Sequence, residues 1–429
     1  MPIGIADGTR SRWLPALLLF GISFTLCLSF SLIAKPLPVT DEFLTYYRIA
    51  QNIAAGNGFT EDGVHPHVYF PPLFSSLLGL WFFVTGVRSL LSVQIYQSLC
   101  IAASAVCSWF LFKEIFSREK AALLAAAWVS VHPSLWTYAV FVRQEPTILL
   151  ATTVAAWMTV RWLGLPGAAN AALAGGAWGI ATLAKTVTLF VPLLLVCHWV
   201  LVRRKNRRIP SGGLAVAALF FLLAIAPWTA RNFVHFHRLI PVNDQGLGML
   251  EWNVQHSDAP AGEGKNVGAL LISLLQTRDA TRGSLAGETF LGELDRAGIS
   301  GRERRQELWN YILAHRKYFL VQRIRNAIFF AAPGIDWWIQ SGRLAMGEAQ
   351  RSPVFWTFAL LLHVPFYGFL FFRLLQLFRG SLSPALSFLV LFYLCYWGTY
   401  TLLWGEIRFS LPVYPVLVAL APWDRIASG

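Results

Sequence analysis

The sequence predicts an all-α polytopic membrane bundle of about ten transmembrane helices, with interfacial helices in its outer loops. Three observations predict it. Hydrophobic residues make up 56% of the 429-residue chain and charged residues 13%, with mean hydropathy +0.53; a soluble domain of this size needs more polar surface to cover itself. The apolar residues gather in runs of about 20, the length that crosses a bilayer as a helix. The basic residues behind the net charge of +13 sit between those runs and form no single stripe. That pattern fits topology signals and contacts to anionic headgroups, and excludes a nucleic-acid surface. The 18 tryptophans and 32 phenylalanines supply the aromatic load of membrane interfaces.

Arg10 and Arg12 precede an apolar run from Trp13 to Ile33. It is too long for the core of a cleaved signal peptide, so it reads as an uncleaved first helix with its N-terminus inside. Further spans are expected near 91–112, 121–140, 146–163, 171–185, 186–202, 213–230, 353–373, 384–404 and 407–423. The stretch 171–202 holds two spans only if the chain turns at Lys185. The segment 73–86 is too short to cross and reads as an interfacial helix. With that choice, Lys113, Arg118, Lys120, Arg161, the Arg203–Arg208 cluster, Arg373 and Arg379 all fall on the cytoplasmic side. If 73–86 crossed, that cluster would face outward against the rule.

One membrane domain over 1–429 is expected, with two large outer regions. The first, 34–90, holds a helix opening at Asp41 and closing at Asn57-Gly58. Phe43, Tyr46, Tyr47, Ala50, Ile53 and Ala54 form its apolar face. The second, 231–352, holds a Gly-rich polar stretch over 261–287 and a charged helix over about 301–330, whose Leu308, Tyr311, Ile312, Phe319 and Leu320 suit the membrane surface. The five cysteines lie in apolar segments without CxxC spacing, so they give neither a disulfide framework nor a zinc site. Nucleotide-binding glycine motifs and fixed-period repeats are missing.

This topology brings Asp41, Glu42, Arg143, Glu145, Lys185, Arg231, Glu406 and Arg408 to one membrane face. A charge near a membrane helix centre costs about 2.5–3.5 kcal/mol on translocon scales. A lone charge at a helix end marks only the interface. Eight on one face suit a phosphate-bearing lipid and a group that must lose a proton.

The residues carry a resemblance. VTDEFLTYYRIAQNIAAGNGF followed by YFPPLFSSLLG resembles the first outer loop of the GT-C glycosyltransferases, among them protein O-mannosyltransferases and the lipid A aminoarabinose transferase. The likeness continues through AGGAWGIATLAKTVTLFVP, PWTARNFVHFHRLIPV, RERRQELWNYILAHRKYFLVQRI and GEIRFSLPVYPVL, in the family's order. It implies an inverting transferase that moves a sugar from a polyprenyl-phosphate donor to a glycan, lipid or protein acceptor, in the cytoplasmic membrane with its site on the outer face.

Asp41 matches the family's catalytic Asp, which implies a general base for the acceptor hydroxyl; its plainer role is an N-cap. A polyprenyl phosphate leaves readily, so one carboxylate base can suffice, unlike the carboxylate pair of glycosidases. Glu42 lies about 100° round the helix from Asp41 and suits a supporting role. Glu145 matches the second acidic position, where a metal or acceptor contact is usual; a simple ion pair with Arg143 competes. Lys185 and Arg408 match positions that imply contact with the donor phosphate, as does Arg231. Arg408 could equally pair with Glu406, and Arg231-Asn232 could be a loop scaffold.

No cofactor is certain from the sequence; for a divalent metal the candidate ligands are Glu145, His65 and His67, although an i, i+2 histidine pair is more often an ordinary loop feature. Tyr69 and Phe70 stand where aminoarabinose transferases carry Glu-Lys, which puts that branch's donor contacts in doubt. The rival function class is a transporter or flippase, which would show repeat symmetry and broken helices near the bilayer midplane.

Overall fold

In a computed structural model of the chain, residues 10–33, 41–203, 211–257, 264–276, 285–331, 353–403 and 407–428 are described. They are helical almost throughout, and the one β-bridge joins Thr60 to Pro66. The chain divides into two compact units: Met1–Asn243 with Pro333–Leu394 and Ser410–Gly429, and Asp244–Ala332 with Cys395–Phe409.

The first unit begins with α1 (Arg10–Ile33), α2 (Asp41–Ala54) and α3 (Pro72–Thr85). Helix α2 ends where expected, with Gly56 and Gly58 at positive φ. Pro71 and Pro72 start α3, and Gly86 in the left-handed region stops it. Its 14 residues reach about 21 Å, short of a bilayer core. Instead α3 packs on α2: a Cβ on Gly79 would lie 2.8 Å from the Ile53 Cβ, so glycine sets the closeness of the pair. Tyr46, Phe70 and Phe74 fill the space between them.

Next come α4 (Leu90–Lys113), α5 (Glu119–Ser130), α6 (Glu145–Gly164), α7 (Ala168–Ala184), α8 (Val191–Arg203) and α9 (Ser211–Phe236). The Ser89 side chain caps α4 by accepting from the Ser92 N–H at 3.3 Å. The expected span 121–140 is interrupted. Helix α5 stops after 12 residues, and His132-Pro133 leads into short helical turns over 133–139. The residue before a proline avoids the α region, so the break sits there. The chain does turn at Lys185, which is extended (φ −154°, ψ 116°) between α7 and a 3₁₀ segment, Thr186–Phe190. Helices α7 and α9 touch backbone to backbone: a Cβ on Gly175 would fall 1.9 Å from the Ala217 carbonyl oxygen, and one on Gly179 2.5 Å from the Ala224 Cβ. Small residues four apart are how apolar helices approach this closely.

The second unit holds α10 (Gly246–Gln255), α11 (Val267–Gln276), α12 (Leu285–Arg296), α13 (Gly301–Ala314) and α14 (Arg316–Ala331). The single helix expected over 301–330 is two, with a break at His315. Val254, Leu270, Leu294, Leu308 and Phe319 form its core. Arg304 ties Glu251 to Asp295, and Arg323 donates to the Leu402 and Leu403 carbonyls.

Last come α15 (Pro353–Arg379), α16 (Pro384–Leu402) and α17 (Tyr414–Ala419), the last reached through a 3₁₀ stretch, Ile407–Val413. The expected span 407–423 is thus not one regular helix; Pro412 and Pro415 each remove a backbone donor. Five helices among the described residues are long and apolar enough to cross a membrane: 13–33, 90–113, 145–164, 212–236 and 384–402. Pro72–Thr85, Thr186–Leu201 and Arg408–Ala419 are shorter apolar helices.

Candidate functional site

Asp41 and Glu42 open α2, as the capping pattern predicts, and their side chains lie outside the described residues. What can be described is the frame around them.

The turn carrying Arg143 and Glu145 is held from α4 by two buried glutamines. Gln94 Nε2 donates to the Val140 carbonyl at 3.0 Å. Gln97 Nε2 donates to the carbonyls of Tyr138 (3.0 Å), Ala139 (3.2 Å) and Phe141, and its Oε1 accepts the Arg143 N–H at 2.7 Å. An irregular segment in an apolar bundle has no water to satisfy its carbonyls, so side-chain amides must do it. Residue 143 is thereby fixed. Its guanidinium, 1% exposed, lies 3.6 Å from the centre of the Phe43 ring on the first turn of α2. Glu145, 3% exposed, begins α6 directly after this turn. The Arg143–Glu145 turn and the Asp41 helix therefore meet.

A loop over 58–67 follows α2 and is stitched to it. Asn52 Nδ2 donates to the carbonyls of Thr60 (3.0 Å) and Glu61 (2.9 Å), and Glu61 Oε1 accepts from the Thr45 hydroxyl at 3.0 Å. Within the loop, Asp62 accepts the backbone N–H groups of Val64 and His65 and meets the His65 ring at 2.6 Å. The His65 ring and these N–H groups hold the Asp62 carboxyl well below the usual carboxylate range. His67 goes elsewhere, stacking on Phe70 at 5.4 Å. Burial lowers its pKa, Glu61 opposes that shift, and Arg231 adds to it. The two imidazoles take different partners, in line with the reading of the pair as an ordinary loop feature. Among the described residues no group of three or more His, Cys, Asp or Glu is placed to hold a metal.

Arg231 meets this loop from α9. Its Nη1 donates to the His67 carbonyl (2.8 Å) and to Asn232 Oδ1 (3.0 Å), and its Nη2 to the Phe59 carbonyl (3.2 Å), with Trp228 4.8 Å beneath the guanidinium. Expected on the donor phosphate, Arg231 here acts first as a clamp, the scaffold role that Pro-Trp-x-x-Arg-Asn also suggested. Asn232 and Trp228 bind the Ile240 and Val242 carbonyls and set the path to Asn243. Asn243 then joins two regions: Nδ2 donates to the Tyr69 carbonyl at 2.9 Å, and Oδ1 accepts the hydroxyl of Thr186, the residue after Lys185. The Lys185 turn is thereby tied to the first outer loop. Tyr69 and Phe70 serve packing and backbone bonding.

Arg408 lies in the second unit, half-buried, with its guanidinium 5.1 Å from the Phe409 ring. Glu406, its alternative partner, lies outside the described residues. Gln94, Gln97, Asn52 and Asn243 were not singled out from the sequence. The glutamines had a signal: two amides three residues apart inside an otherwise apolar span.

Residues 69–230 match the model of a family described as dolichyl-phosphate-mannose-protein mannosyltransferase. Among solved structures, the archaeal oligosaccharyltransferase AglB from Archaeoglobus fulgidus, in complex with an inhibitory peptide and a dolichol-phosphate, matches with TM-score 0.56 and 13% identity. A second Archaeoglobus fulgidus oligosaccharyltransferase structure, tethered to an acceptor peptide, matches with TM-score 0.53 and 14% identity. Each match covers 96% of this chain and 50% of the other, so the chain spans about half the length of these oligosaccharyltransferases. No curated sequence matches. The expected GT-C resemblance is borne out, and the chain has the GT-C fold.

Proposed function

We propose that this chain is an inverting glycosyltransferase that moves a sugar from a polyprenyl-phosphate donor to an acceptor on the extracytoplasmic face. The observation that carries the reading is the junction of three elements in one unit. The Asp41 helix meets the Arg143–Glu145 turn through the Phe43 ring, and the Lys185 turn joins the same loop through Asn243. The matched mannosyltransferase family and the dolichol-phosphate held by the archaeal oligosaccharyltransferase support a lipid-phosphate donor.

In this reading Asp41 takes the proton from the acceptor hydroxyl as its oxygen attacks the anomeric carbon. The bond from that carbon to the phosphate oxygen breaks, and the electron pair leaves on the polyprenyl phosphate. Lys185 offsets the charge that grows on the phosphate. Glu42 supports Asp41, while Arg143 and Glu145 orient the acceptor. The acceptor is a glycan, a lipid or a protein, and the peptide held by the related structure makes a protein acceptor a first choice to test.

The test uses the purified protein with a panel of radiolabelled polyprenyl-phosphate hexoses and pentoses, reading release of polyprenyl phosphate. Release with at least one donor supports the reading. No release with any, together with lipid translocation by the same protein in proteoliposomes, would establish the flippase alternative.

A further inference from the structure

The end of the first unit remote from Glu145 holds a cavity that the proposed reaction leaves unused. Glu145 and Arg161 lie near opposite ends of α6, about 24 Å apart along its axis. At the Arg161 end, Arg161 pairs with Glu114 at 3.3 Å and Lys113 with Glu119 at 3.4 Å. Asp424, beyond α17, accepts the backbone N–H groups of Ser117 (3.2 Å) and Arg118 (3.1 Å), so the C-terminal turn also docks there.

The cavity beside that turn has a volume of about 620 Å³, and Arg373, Arg425, Phe116, Phe369, Phe372 and Trp423 line it. Arg373, six residues before the end of α15, donates Nε–H to the Leu420 carbonyl (2.9 Å) and Nη1–H to Gln376 Oε1 (2.9 Å). Those bonds use two of its five N–H donors. Neither Arg373 nor Arg425 makes a salt bridge among the described residues; the Asp424 carboxylate, also in the lining, is engaged by the two N–H groups above. Two guanidiniums thus share one cavity with a single carboxylate. The wall beside them is aromatic, and Phe372 is also exposed on the flank of the helix.

We propose that this cavity binds an anionic phospholipid of the leaflet opposite the candidate active site. Its phosphodiester sits on Arg373 and Arg425, and its acyl chains run along Phe369 and Phe372. Guanidinium is the side chain best matched to a phosphate's paired oxygens, and basic pockets at the ends of membrane helices select anionic headgroups. A free phosphate would use the arginines but leave the aromatic wall and most of the volume unfilled. The inference rests on the membrane reading of the fold and is independent of the proposed reaction.

The full chain, reconstituted in nanodiscs of equal phosphatidylcholine and phosphatidylglycerol, is released and its retained lipids are counted by native mass spectrometry. Phosphatidylglycerol should be retained over phosphatidylcholine. Arg425→Gln, which leaves the Arg373 bond to Leu420 intact, should weaken retention about fivefold, matching the roughly 1 kcal/mol that one basic residue contributes near an anionic surface. Arg373→Gln with Arg425→Gln should weaken it further. Short-chain phosphatidylglycerol should displace the retained lipid, and inorganic phosphate at the same concentration should not. Equal retention of both lipids, or unchanged retention in Arg425→Gln, overturns the proposal. Displacement by phosphate alone overturns its lipid part.

Discussion

The two ends of the first unit treat their cations differently. At the end with Asp41 and Glu145, Arg231 is spent on loop carbonyls and Arg143 is stacked and buried, while amide side chains hold the segments between them. At the other end Arg161, Lys113 and Arg425 sit in exposed or half-exposed positions with at most one carboxylate each. A group that must meet a reacting bond needs a fixed position, because a misplacement of about 1 Å can cost about a hundredfold in rate. A group that meets a headgroup needs only to be near. The difference is consistent with the proposal that the Asp41–Glu145 end is the one built for chemistry.

The sharpest way to break that contrast is Asp41→Asn. Asparagine caps a helix about as well as aspartate but cannot act as a base. Transfer should fall by at least about a hundredfold while expression and donor binding stay near normal. Near-wild-type turnover with a defined donor would remove Asp41 as the base and make Glu145 the leading candidate. Next is Gln97→Leu, which strips the donor from several carbonyls and the acceptor from the Arg143 N–H. Each buried group left unmet costs about 1–3 kcal/mol, so thermal stability should drop and transfer should drop further as Arg143 shifts. Full activity in a destabilised protein would show that the turn matters only for folding.

The pH dependence sharpens the contrast at smaller scale. The folded pKa of His67 is lowered, so its contribution to stability is present above the unfolded value of about 6.5 and is lost as pH falls toward the folded value. Between about pH 7 and pH 5, limited proteolysis of the 58–67 loop should increase in the wild type and change less in His67→Phe. Identical profiles would mean that His67 does not govern the loop. Smallest of all is Arg161→Gln at the far end, where an exposed pair is worth about 0–1 kcal/mol. Transfer should stay within about twofold; a large loss would show that the far end shares in catalysis.

Much of this frame was legible in the sequence because it follows local rules. The helix from Asp41 to the glycines at 56 and 58, the shortness of 72–85 and the turn at Lys185 all appeared where capping, length and charge put them. The break at His132 was hidden inside a run whose overall hydropathy suited a span, although Pro133 was the clue. The 407–423 segment misled in the same way, since Pro412 and Pro415 count as apolar yet cannot donate. The clamp of Arg231 on Phe59 and His67 was beyond reach: it joins residues 172 and 164 positions apart, and no spacing rule spans that distance. A charge near a membrane face reads as a ligand for substrate until its partners are seen.

The Asn243 bridge also sets a schedule. Its two partners emerge early, and Tyr69 precedes it by 174 residues. At about 5–20 residues per second of synthesis, the first outer loop waits roughly 9–35 s for the residue that ties it to the Lys185 turn. During that interval the half-built chain carries the first outer loop and the Lys185 turn without the side chain that joins them. A ribosome-arrested chain ending before Arg231 should leave residues 58–70 open to protease, and one extended well past Asn243 should protect them. The first unit is thus assembled as a latch whose last piece arrives after the loop it fastens, so a truncated product is born with that loop untied.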